Sequence, residues 1–202
     1  MKNRRPYFLL LLLGLVVFLT ALLVLTYRSN GVKIRSGASK PSEIQRRNEI
    51  LLRQLGHAYT LMEREEFSPA EKILKDILKT RPNHSMALQL LGQLFYRTER
   101  YSEAENVYRT MLKNNEFDAA AFNNLGQVLY RLGRHGEALQ NLLKSKELNP
   151  GNMIVYINLS VVYAALNRQE LARDMFMEAH RQLAEKKRSV EAVSAPLPER
   201  AP

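Results

Sequence analysis

Alanine recurs every 34 residues, at Ala70, Ala104, Ala138 and Ala172. Other rows hold the same phase: Leu91, Leu125 and Leu159; Gly92, Gly126 and Ser160; Phe95, Leu129 and Tyr163; Leu74, Tyr108, Leu142 and Phe176. Pro82 and Pro150 lie two periods apart. Several residue types in one phase mean that a single supersecondary unit is repeated. Within the unit the apolar spacing is helical, and no strand-like alternation occurs. Each unit is therefore two antiparallel helices. Small residues, such as Gly92 with Ala104 and Gly126 with Ala138, let paired helices approach to about 8–10 Å. One hairpin cannot bury its apolar face alone, so stacking supplies the core.

Helix punctuation agrees. Ser42-Glu43-Ile44-Gln45, Ser68-Pro69-Ala70-Glu71 and Ser102-Glu103-Ala104-Glu105 read as capping boxes. Stops fall at Thr80-Arg81-Pro82-Asn83, Gly133 and Asn149-Pro150-Gly151. The expectation is about eight helices of roughly 12–18 residues joined by short turns.

These residues resemble the tetratricopeptide repeat family, whose pattern has Leu-Gly and an aromatic in the first helix and alanines with a closing proline in the second. The best matches are Phe122, Leu125 and Gly126 with Ala138 and Pro150, and Tyr156, Leu159 and Ser160 with Tyr163, Ala172, Phe176 and Ala179. The unit from Ser85 departs at Met111 and Glu116. The first unit matches at Leu55, Gly56 and Tyr59 and then runs two residues long before Phe67 and Ala70. The resemblance implies an all-α, right-handed α-solenoid of about four hairpins, at about 44–82, 85–116, 119–150 and 153–186.

Residues 7–27 carry no charge and include ten leucines. At about 1.5 Å per residue they reach roughly 30 Å, the hydrocarbon thickness of a bilayer. Ten leucines contribute about −3 to −6 kcal/mol on the insertion scale. A cleaved signal peptide has a shorter apolar core and a small-residue exit, whereas this segment exits at Tyr27-Arg28. The expectation is one transmembrane anchor after a basic head (1–6), a flexible linker (28–41), the repeat domain (42–186) and a disordered tail (187–202). The basic head resembles a signal anchor, which would place the domain on the extracytoplasmic side.

The net charge of +10 suggests nucleic acid until it is located. Seven basic residues and no acid lie in residues 1–42, so most of the excess flanks the apolar segment. A nucleic-acid binder needs a basic stripe on its folded domain, and none is evident. There is no cysteine, no phosphate-binding Gly-rich loop, no His-Glu-x-x-His and no Gly-x-Ser-x-Gly. His57, His84, His135 and His180 lack metal-ligand spacing, and His84 and His135 fall in turns. No cofactor, metal, small-molecule substrate or enzyme activity is expected.

Family resemblance implies that the first helices line a groove that binds partner segments. Asn124 and Asn158 share the register where such proteins often carry asparagines, and an amide can grip a peptide backbone with both donor and acceptor. Helix spacing adds Arg53, His57, Gln89, Gln93, Arg97, Asn123, Gln127, Tyr130, Arg131, Ile157 and Val161. A ligand with an acidic portion and a hydrophobic end suits this set. The asparagines have a plainer alternative, hydrogen bonding within the groove. The whole resembles a bacterial membrane-anchored scaffold that captures a protein partner, for example in assembling an envelope complex. The alternative is a self-associating structural component.

Overall fold

The computed structural model describes residues 42–194, with side chains as far as Val190. The basic head, the apolar segment, the linker and residues 195–202 lie outside the described residues. The chain divides into two units, Met1–Arg46 and Arg47–Pro202. The repeat stack is the second; of the first, only the opening turn of one helix is described.

Among the described residues there are eight helices and no strand: α1 (Glu43–Glu63), α2 (Phe67–Thr80), α3 (Ser85–Arg97), α4 (Tyr101–Asn114), α5 (Ala119–Arg131), α6 (His135–Leu148), α7 (Met153–Ala165) and α8 (Gln169–Ser194). The six interior helices have 13 or 14 residues. From α2 onward each helix packs on the next in sequence, and α5 also meets α7. No helix of the described residues is long and apolar enough to cross a membrane.

The alanine row forms the seam of the stack, with Ala70, Ala104 and Ala138 fully buried. Gly92 and Gly126 sit where two helices nearly touch. A methyl group there would come within 2.6 Å of the Tyr108 ring and of Leu142 Cγ, respectively. Leu74, Tyr108 and Leu142 fill the space opposite and are at most 1% exposed. Each hairpin turns through one left-handed residue, again 34 apart: Glu65, Glu99, Gly133 and Asn167.

The first helices are capped by a further row. His84 Nδ1, Asp118 Oδ1 and Asn152 Oδ1 accept from the amides of Ala87 (3.3 Å), Ala121 (2.9 Å) and Ile154 (3.1 Å). His84 thus caps α3 from the turn before it. His135 is the first residue of α6. At the start of α1 the expected box is present: the Gln45 amide donates to Ser42 Oγ (3.2 Å) and the Ser42 amide to Gln45 Oε1 (2.7 Å).

The structure corrects four expectations. Ser68 and Ser102 do not cap: α2 and α4 start earlier, at Phe67 and Tyr101, after Glu66 and Arg100, neither of which makes a side-chain cap. The glutamates of those would-be boxes are taken elsewhere, Glu71 by Arg100 and Glu105 by Arg134. The first unit has no two-residue insertion. The amides after the turns donate to Leu61, Phe95, Leu129 and Tyr163 carbonyls at 2.8–2.9 Å, so α1 keeps the 34-residue phase. Ala58, fully buried, takes the glycine row, while a methyl on Gly56 would meet nothing within 4 Å. The end helices exceed the expected length, at 21 residues for α1 and 26 for α8. Residues 187–194, read as the start of a disordered tail, are helical.

Candidate functional site

First helices α1, α3, α5 and α7 line a continuous groove with two cavities. The larger, about 470 Å³, is walled by Tyr59, Met62 and Glu63 of α1, Gln93, Tyr96 and Arg97 of α3, Asn123, Asn124 and Gln127 of α5 and Ile154 of α7, with Tyr108 of α4 at its back. The smaller, about 160 Å³, lies between Tyr96, Gln127, Tyr130 and Arg131 on one side and Asn158, Val161 and Val162 on the other, over Leu142.

Nine of the expected residues meet here: Gln93, Arg97, Asn123, Asn124, Gln127, Tyr130, Arg131, Asn158 and Val161. Four line neither cavity. Arg53 is solvent-exposed and pairs with Glu49 at 2.9 Å. His57 is exposed on α1. Gln89 is half-buried outside the cavities. Ile157 faces the far end of the stack, beside Phe176. The α1 misplacement follows from the phase error. In the true phase Tyr59 joins Gln93, Gln127 and Val161, Met62 joins Tyr96 and Tyr130, and Glu63 joins Arg97 and Arg131. Of the residues that sequence reasoning missed, Tyr59, Met62, Glu63 and Tyr96 were signalled by the period: Tyr96, for example, lies 34 before Tyr130.

The asparagines form a relay rather than an open ladder. Asn158 Nδ2 donates to Asn123 Oδ1 (2.8 Å), and Asn123 Nδ2 donates to Asn124 Oδ1 (3.2 Å). Asn123 is only 6% exposed, so both of its bonds offset the cost of burying an amide. Burial pushes the Tyr108 phenol well above its ordinary value, the neighbouring Tyr96 adds to this, and a hydrogen bond from Asn124 opposes it. Tyr108 therefore stays a neutral hydroxyl. The relay fixes amide orientation along the groove floor, and Asn158, which accepts no hydrogen bond among the described residues, keeps acceptor capacity for a ligand.

Two arginines flank the groove by one device. Each lies over the aromatic that opens the preceding second helix: Arg97 over Phe67 (5.1 Å) and Arg131 over Tyr101 (5.3 Å). Their neutralisation differs. Arg97 reaches Glu63 across the groove at 3.3 Å. Arg131 donates from Nε (2.9 Å) and Nη2 (2.7 Å) to the Tyr101 hydroxyl, and among the described residues no carboxylate pairs with it. Those bonds raise its pKa and aim the guanidinium without cancelling its charge.

Arg100 and Arg134, by contrast, are saturated. Arg100 holds Glu71 (2.6 and 3.2 Å) and Glu103 (2.5 Å twice), and Arg134 holds Glu105 (2.8 and 2.9 Å) and Glu137 (2.6 and 2.7 Å). Arg100 and, less strongly, Lys75 keep the Glu71 carboxyl below its ordinary range. These clusters tie neighbouring hairpins together and offer a ligand nothing. Among the described residues no group of three His, Cys, Asp or Glu could hold a metal ion.

The family model described as tetratricopeptide repeat matches residues 55–111 and 90–152. Among solved structures, MamA from Desulfovibrio magneticus RS-1 (residue 41 to its end) superposes with a TM-score of 0.60 at 19% identity, over 65% of this chain and 75% of that one. A second MamA crystal structure gives 0.61 at 21% identity, over 67% and 79%. At these identities the likeness establishes the fold. No curated protein matches the chain.

Proposed function

We propose that this stack, which carries tetratricopeptide repeats across residues 55–152, is a protein-interaction scaffold. Its groove takes an extended partner segment that sets an acidic side chain against Arg131 and an apolar one beside Val161. The observation that carries this is the state of Arg131: stacked, hydrogen-bonded into position and, among the described residues, in no ion pair, at the mouth of a cavity with an apolar floor. A fixed fork of donors suits a carboxylate. Gln127 and the free acceptor of Asn158 lie alongside to meet the peptide backbone.

The scaffold reading includes membrane attachment through the uncharged segment 7–27, with the domain on the extracytoplasmic side and a role in assembling an envelope complex. Its support is sequence alone: length, leucine content and flanking charge.

The test is affinity capture with the full chain in detergent, read by quantitative mass spectrometry. Wild type should enrich a partner that Arg131→Ala and the pair Asn124→Ala with Asn158→Ala lose, all three retaining the same helical circular dichroism. Equal capture by all three would remove the groove from the account. A reporter fused to the C-terminus tests membrane side: activity of an extracytoplasmic reporter is expected, and activity of a cytoplasmic one overturns that orientation.

A further inference from the structure

The two ends of the stack are finished differently. Inside it, the rows Ala87/Ala121/Val155, Leu91/Leu125/Leu159 and Leu94/Val128/Val162 are buried. Their counterparts on α1, the first helix among the described residues, are Arg53, His57 and Thr60, all polar and exposed. At these three rows α1 thus ends in polar side chains, as a terminal unit of a solenoid does, although Ile50 on the same face is also exposed. The last end differs. Phe176 stands in the row of Leu74, Tyr108 and Leu142, which are at most 1% exposed, yet it is 49% exposed itself. With Met153, Ile157, His180 and Leu183 it lines a shallow apolar cavity of about 140 Å³ between α7 and α8. This is where another first helix would stack.

α8 also overruns the stack. Its described length is 26 residues, against 14 in the other second helices. Along it, Phe176, Leu183 and Val190 are spaced by seven, each about half exposed or more, so they form one stripe running from the uncovered cavity into the overrun.

We infer that two copies of this chain pair through α8, each laying its overrun antiparallel on the other's uncovered end. Consecutive helices of the stack are antiparallel, so the visiting helix enters in the direction that a further first helix would take. With the two-fold axis at Leu183, each Phe176 meets Val190 of the second copy and the two Leu183 side chains meet each other. The same register sets Glu178 against Arg188 and Arg181 against Glu185 of the second copy, extending the Glu178–Arg181–Glu185 cluster already present within each helix. The occupant is not the first end of another copy, because Arg53, His57 and Thr60 would bury polar groups against Phe176 and Leu183. The pairing is independent of what the groove binds.

The chain has no cysteine, so single-cysteine variants of the full chain in detergent report the register directly. Under mild copper–phenanthroline oxidation Leu183→Cys should form a covalent dimer. Phe176→Cys mixed with Val190→Cys should cross-link more than either alone. Leu52→Cys, exposed on α1, should stay monomeric, and adding Arg131→Ala should change none of these yields. Sedimentation equilibrium should find wild type dimeric and the double variant Phe176→Glu, Leu183→Glu monomeric with unchanged helical content. A monomeric wild type overturns the pairing, and so does cross-linking of Leu183→Cys no better than of Leu52→Cys. A helix of a different protein found on this face in place of a second copy would overturn it too.

Discussion

Two glycines in the first helices should respond to the same substitution with opposite signs. Gly56 and Gly126 both lie inside helices, so replacing either with alanine gains up to about 1 kcal/mol of backbone preference. At position 56 that gain is unopposed, because the new methyl group meets nothing within 4 Å. At position 126 it lands 2.6 Å from Leu142 Cγ, 2.9 Å from Cδ2 and 3.2 Å from the Ala138 carbonyl oxygen. Leu142 is fully buried, so it has nowhere to retreat, and the backbone oxygen can yield only if α5 and α6 separate. Overpacking of this kind costs about 1–3 kcal/mol, more where backbone must move. The expected outcome is that Gly56→Ala stabilises by about 0.5–1 kcal/mol and Gly126→Ala destabilises by about 1–2 kcal/mol net. Urea titration followed by circular dichroism at 222 nm measures both. Equal midpoints, or a Gly126→Ala variant more stable than wild type, would refute the close approach on which the stack's geometry rests.

Glu99 holds a left-handed turn at φ 60°. Glu99→Gly should raise the urea midpoint by an amount equivalent to about 0.5–1 kcal/mol, while Gly133→Glu should lower it. The folded pKa of Glu71 lies below its ordinary 4.5, chiefly through Arg100. Its contribution is therefore present above about pH 4.5 and is lost as pH falls through the lower folded value. Acid titration of stability should be shallower in Glu71→Gln than in wild type, and an identical profile would count against the Arg100 tie. Asn123→Leu should keep the fold but release both relay bonds. Partner binding should then weaken although residue 123 itself is almost inaccessible, and unchanged binding would show that amide order on the groove floor is irrelevant.

Much of the fold was legible because the restraint is periodic. Ala70, Ala104, Ala138 and Ala172 sit at buried seams, and such positions repeat with the backbone. The first unit misled because Leu55-Gly56 and Tyr59 imitate Leu91-Gly92 and Phe95 as letters. The turn hydrogen bonds and the buried seam filled by Ala58 fix the phase, and both are properties of the packed stack. The capping boxes at Ser68 and Ser102 failed for a related reason: Glu71 and Glu105 satisfy arginines about 30 residues ahead, and a local pattern cannot see that competition. In the groove, helical spacing located Gln93, Arg97, Gln127 and Arg131. It could not reveal that Arg97 forms an ion pair with Glu63 and that Arg131 forms none among the described residues, because that pair depends on a glutamate contributed by another hairpin.

The central claim, that the groove reads an acidic side chain beside an apolar one, is tested most directly by selecting a random peptide library on the purified full chain. Wild type should enrich peptides with Asp or Glu close to a hydrophobic residue. Arg131→Ala should lose the acidic preference while keeping the hydrophobic one. A selection with no acidic preference, or one that survives the loss of Arg131, would contradict the account.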